Sequence, residues 1–252
     1  MPKKPPTVTQ ADTIAALLER SKRAEVPIRK TFAQQGTGKV RDPGPLAGFV
    51  SNHDERALDL YLLAHAAASA EPFDVVLPAD AWARAIGMTA TASARSAVSK
   101  AFRRIERLHL VRRDRAGSRS RITLLDESGS GDPYTHPAGR RELYLKLPHV
   151  YWDQDWHLRL RLPGKAVLLI ALSLNDGFPL PIEKGPDWYG ISADTVQRGL
   201  DELERHKLIE VDAQYKKAPL SPLGYTEDRH YTLKAPFGPL RRPIATVTKL
   251  RA

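Results

Sequence analysis

The sequence predicts an α+β fold of two tandem units, with flexible basic arms at the N and C termini. Three observations carry this. Apolar residues recur at helical spacing in long runs on either side of residue 130. The segment Asp126–Gly139, DESGSGDPYTHPAG, has the Ser, Gly, Asp and Pro content of a linker and divides these runs into two groups. Six positions of the first group also recur in the second at a constant offset of 98 residues.

The expected organisation is a basic arm with one short helix over 1–46, a first domain over 47–125, a linker over 126–139, a second domain over 140–234 and a basic tail over 235–252. The arm owes its helix to Ala11–Ala24, where Ile14, Leu17 and Leu18 share a face. In the first domain, Asp54–Ala70 is a helix with Leu58, Tyr61, Leu62 and His65 on one side and acids in its first turn. Phe73–Leu77 reads as a strand, and Pro78 opens a helix over Ala79–Ile86 that Gly87 ends. From Ser93 the apolar set Ala94, Val98, Ala101 or Phe102, Ile105 and Leu108 steps by three and four. Leu110–Asp114 and Ser120–Leu125 follow as strands joined by a turn in which Gly117 supplies a positive φ.

The second domain repeats the order. Pro163–Asn175 is a strongly apolar helix, PLPI at 179–182 is extended, Gly185–Tyr189 leads to a turn at Gly190, and Ser192 caps the next helix. Val196, Leu200, Leu203, Leu208, Ile209 and Asp212 repeat Val98, Phe102, Ile105, Leu110, Val111 and Asp114, which points to two copies of one supersecondary unit.

Composition narrows the function. A chain without cysteine has no disulfide, thiol nucleophile or cysteine-ligated zinc. No apolar run approaches a membrane span, and the basic start Met1–Lys4 is followed by Pro5 and Pro6 rather than an apolar leader core, so a cytoplasmic, nucleoid-associated protein is expected. The net charge of +10 is unevenly spread: residues 88–125 carry +8, while residues 47–87 carry −4. Val98–Ile122 alone holds eight arginines and one lysine against Glu106 and Asp114. Such crowding is electrostatically costly unless a polyanion is the partner.

The order helix, strand, helix, turn, helix, hairpin resembles the winged helix-turn-helix superfamily, and SADTVQRGLDELERHKLIEV is similar to the recognition helix and following strand of bacterial regulators of that fold. The tandem arrangement, with YLKLP before the second set of helices, also resembles plasmid replication initiators. The resemblance implies that the third helix of each unit enters a major groove while the hairpin, or wing, tracks the backbone. Arg95, Ser96, Ser99 and Lys100 are then placed for bases, and Arg103, Arg104, Arg107, Arg112, Arg113, Arg115, Arg119 and Arg121 for phosphates.

In the second unit the candidates are Thr195, Gln197 and Arg198 on the helix and Lys216 and Lys217 on the wing, with Arg229 in support. The acids Asp194, Asp201, Glu202 and Glu204 on the same helix keep open a protein-docking or dimerisation role. GTGK at 36–39 lacks the spacing of a phosphate-binding loop. Asp153 and Asp155 lack a third metal ligand, and the eight histidines show no metal spacing, so no catalytic residue, metal or cofactor is expected.

The expected function is sequence-specific binding of double-stranded DNA by a bacterial transcriptional regulator. Two alternatives stand beside it: a plasmid or mobile-element replication initiator or partition protein, and a DNA-anchored adaptor whose second domain binds a protein. A homodimer through Asp54–Ala70 or Pro163–Asn175 is also open. No membrane contact is expected.

Overall fold

Thr9 and Asp12 start the first helix by capping each other. The Thr9 hydroxyl accepts from the Asp12 amide at 3.1 Å, and the Asp12 carboxylate accepts from the Thr9 amide at 2.8 Å, ahead of α1 (Gln10–Leu18). The structure is a computed structural model that describes residues 6–21, 23–36, 40–137 and 142–238. Its class is α+β with small antiparallel sheets. Residues 37–39 of GTGK and 239–252 of the basic tail lie outside the described residues.

The N-terminal segment is not a flexible arm. Ile14, Leu17 and Leu18 of α1 are buried, and Gln10 donates through Nε2 to the Ala85 carbonyl at 3.1 Å. β1 (Glu25–Arg29) pairs antiparallel with β7 (Tyr144–Pro148), setting Val26 against Leu147 and Ile28 against Leu145, all buried. A 3-10 turn then places Phe32 on the Tyr61 ring at 5.1 Å. The Pro- and Lys-rich composition disguises an apolar period whose partner strand lies far along the chain, at residues 144–148. Two short strands, β2 (Gln34–Gln35) and β3 (Asp42–Pro43), close this segment before α2 (Leu46–Ser51).

The first repeated unit follows: α3 (Glu55–Ala67), β4 (Asp74–Leu77), α4 (Ala79–Ala85), α5 (Ala92–Arg107), β5 (Val111–Ala116) and β6 (Arg119–Leu124). After β7 come two single-turn helices, α6 (Val150–Asp153) and α7 (Trp156–Arg159), which bury Tyr151, Trp152 and Trp156 and leave Asp153 and Asp155 in solvent. The second unit is α8 (Leu162–Ser173), β8 (Phe178–Pro179), α9 (Gly185–Tyr189), α10 (Ala193–Arg205), β9 (Ile209–Lys217) and β10 (Tyr225–Leu233).

Both units form a three-stranded sheet in which the first strand pairs with the third: β4-β6-β5 and β8-β10-β9. The apolar residues related by the offset of 98 are buried in both copies. The backbone repeats too. His109 and Lys207, 98 apart, take left-handed φ of 55° and 58° just after their helices. The next amides, of Leu110 and Leu208, return to the carbonyls of Ile105 and Leu203. Neither residue is glycine, and a left-handed conformation at such residues persists only where the surrounding packing imposes it.

Three further expectations change. The described part of 126–139 is not a linker, because Glu127 is fully buried and Tyr134 nearly so. Phe237, assigned to the tail, is buried beside Tyr151 and Trp156. Helices α3 and α8, read as faces for a dimer, lie inside the core, where Lys165 of α8 reaches Asp59 and Glu55 of α3 at 2.8 Å each. Burial pushes the Asp59 carboxyl up to about 6 against the opposing pull of Lys165. The two units therefore share one apolar core with an ion pair across it.

Candidate nucleic-acid interface

Thr91 caps α5 by accepting from the Ala94 amide at 3.2 Å, and Ala94, Val98, Ala101, Phe102 and Ile105 turn into the core. The opposite face is left to the polar residues. At 100° per residue, Ser96, Lys100, Arg103 and Arg107 fall within about 60° of arc, a narrow stripe along the exposed side. β5 and β6 stand beside it, joined through Gly117 with φ of 62°; a Cβ there would meet nothing, so the backbone angle is what the turn requires. Arg113 fixes the hairpin to the helix, donating to Ser99 Oγ at 3.3 Å while its amide donates to Glu106 at 3.1 Å. Arg115, two residues on, projects from the same face of the hairpin.

The predicted residues divide into two groups. Arg95 pairs with Asp80 at 3.1 Å, Arg104 with Asp54 at 2.5 Å, Arg112 with Asp114 at 3.1 Å and Arg121 with Asp74 at 3.2 Å, and Arg113 is spent as described. All but Arg112, whose partner lies on its own strand, tie elements of the unit together. Lys100, Arg103, Arg107, Arg115 and Arg119 are exposed and have no ion-pair partner among the described residues. Five uncompensated cations thus lie on one helix stripe and the adjoining hairpin, with Ser96 among them and Ser99 at their edge.

The second unit differs in chemistry. Ser192 caps α10 by accepting from the Thr195 amide at 3.2 Å. Arg198 pairs with Asp194 at 2.8 Å and reaches Thr195 Oγ1 at 3.3 Å, while Gln197 donates to Asp201 at 2.6 Å. All three predicted helix residues are therefore engaged within the helix. On the hairpin Lys216 pairs with Asp228, which holds that carboxyl below its ordinary range, and Arg229 pairs with Glu227 at 2.8 Å. Lys217 is exposed.

Two cations outside the predicted site residues, Arg161 and Arg205, line a cleft of about 520 Å³ between the start of α8 and α10, together with His53, Thr195, Arg198 and the carboxylates of Glu55, Asp201 and Glu202. The offset offered a signal for Arg205: it repeats Arg107, and Arg198 repeats Lys100. His53 adjoins Asp54, the partner of Arg104, so the cleft begins beside α5.

Asp153 and Asp155 are exposed on separate turns, and no group of three metal-ligating side chains occurs among the described residues. No described helix is long and apolar enough to cross a membrane. Comparison with known proteins returns no match to any family model, curated protein or solved structure.

Proposed function

We propose that the chain is a tandem winged-helix protein that binds double-stranded DNA sequence-specifically and regulates transcription in the manner of bacterial regulators, by binding rather than catalysis. The observation that carries this reading is the set Lys100, Arg103, Arg107, Arg115 and Arg119, left without ion-pair partners among the described residues on one helix stripe and the adjoining hairpin while neighbouring arginines are neutralised. A merely solvated charged face has no reason to sort its arginines this way. In this reading α5 lies in a major groove, Ser96, Ser99 and Lys100 meet base edges, and Arg103, Arg107 and the hairpin arginines hold phosphates.

A second reading applies to the second unit, where Thr195, Gln197 and Arg198 are already bonded to neighbours. That unit then serves protein contact, and the first unit supplies the DNA affinity. Selection of bound sequences from random duplex DNA, followed by titration against scrambled DNA at two salt concentrations, tests the proposal. One enriched motif bound at least ~10³-fold tighter than scrambled DNA supports it. An inverted motif favours a regulator, and directly repeated motifs favour an origin-binding initiator. Equal affinity for all sequences, falling steeply with salt, overturns site-specific reading.

A further inference from the structure

β9 is the longer of the two outer strands of its sheet, since the order is β8-β10-β9 and β8 has two residues against nine. Its pairing with β10 is continuous from Ile209–Leu233 to Lys217–Tyr225, without a bulge, and residues 212–217 are exposed or nearly so. A long, regular, open edge offers a row of unpaired backbone groups to another chain. Beyond the body the hairpin also carries exposed apolar side chains: Tyr215 at 64%, Leu223 at 72% and Leu220 fully exposed, with Tyr215 and Tyr225 in edge contact at 5.4 Å. Half of the large exposed apolar residues of the described chain lie in these eleven residues, an arrangement that marks an interaction surface.

Charge separates this hairpin from its counterpart. Residues 111–124 carry +4, whereas residues 209–233 carry −1, so a polyanion is a poor occupant of the second. The strand is instead complementary to itself. Placed antiparallel to a second copy about Gln214, it sets Asp212 opposite Lys216, Ala213 opposite Tyr215 and Gln214 opposite Gln214. Directly opposed residues share a face, so the Asp–Lys pair forms twice, with Lys216 shared between the partner copy's Asp212 and the Asp228 of its own hairpin, and each Tyr215 ring covers the small Ala213. The tip of each hairpin then runs along the base of its partner's β9, which covers Leu220 and Leu223.

We infer that β9 is the edge through which two copies of this chain associate, joining their three-stranded sheets into one six-stranded sheet about a twofold axis at Gln214. The dimer does not depend on nucleic acid, so its test is separate from that of DNA binding. Light scattering across a dilution series, without DNA, is expected to give a dimer for the wild-type chain. Asp212→Lys and Lys216→Asp each turn both attractive pairs into repulsive ones and weaken association by about tenfold or more. An equimolar mixture of the two variants restores it, because every cross-strand pair is then of opposite sign. Restoration also shows that both variants fold. A wild-type chain that stays monomeric, single variants that dimerise as tightly as wild type, or a mixture that stays monomeric overturns the proposal.

Discussion

Arg29 and Glu127, 98 residues apart, are joined by an ion pair of 2.6 Å in which the carboxylate is fully buried. The Arg29 amide also donates to Glu127 at 3.1 Å, its second guanidinium nitrogen donates to Thr135 at 2.8 Å, and His65 of α3 lies 3.4 Å from the same carboxylate. One carboxylate therefore ties β1, α3 and the segment between the two units. Glu127→Gln leaves the buried Arg29 only its longer pairings to Asp126 at 3.6 Å and Glu142 at 3.5 Å, and a loss of about 1.5–3 kcal/mol is expected, read from denaturant unfolding. Replacing the pair by apolar residues of similar volume, Arg29→Met with Glu127→Leu, is expected to cost much less than either single change.

The same carboxylate gives a pH dependence of fixed sign. Burial alone raises its pKa, but His65 and the bonds from Arg29 more than reverse this and hold it below the ordinary 4.5. A group depressed in the folded state contributes stability above its unfolded pKa and loses it as pH falls through the folded one. Unfolding free energy measured from neutral pH into the acid range should therefore fall below about pH 4.5. The Glu127→Gln chain should show a shallower decline there, and an equal slope in both chains would remove Glu127 from the explanation.

On the proposed function, neutralising the unpaired cations should weaken binding to DNA without harming the fold. Arg103→Ala, Arg107→Ala and Arg115→Ala are each expected to lower the slope of log affinity against log salt by about 0.9 for each phosphate no longer neutralised. Their thermal unfolding should match wild type, because none has an ion-pair partner among the described residues. Arg104→Ala is the contrasting case. Its partner Asp54 sits at the start of α3, so this change should lower stability more than any of the three.

Elements set by local pattern were legible. The core face of α5, apart from Leu108, which is only half-buried, the turn at Gly117 and the Ser192 cap each follow from residues within a few places of one another. Long-range partners were not. Nothing near Glu127 in sequence marks it as buried, because its partner Arg29 belongs to a segment whose composition imitates an arm. For the same reason the charge run at 98–122 was visible, yet its division into paired and unpaired arginines was not. Arg112 and Arg113 find local partners in Asp114 and Glu106, but Arg104 and Arg121 are neutralised by Asp54 and Asp74, each more than 40 residues away.

The offset of 98 makes positions 104 and 202 equivalent. Each secures the start of its unit's first helix with opposite charge: Arg104 grips Asp54 ahead of α3, while Glu202 accepts from the Arg161 and Gly164 amides at 3.0 and 3.2 Å, at the start of α8. Amides in the first turn of a helix lack partners within it, so a buried carboxylate there satisfies two donors at once. Close approach of α10 to α8 is what permits this, and Gly199 sets it: a Cβ there would lie 2.4 Å from Val167 Cγ2 and 2.6 Å from the Pro163 carbonyl oxygen. Glu202→Ala strands the two amides, and Gly199→Ala forces the helices apart, so each is expected to cost about 1–3 kcal/mol in denaturant unfolding. Because they disturb one shared junction, the double variant should lose less than the sum of the two, and strict additivity would mean that the carboxylate and the glycine act independently.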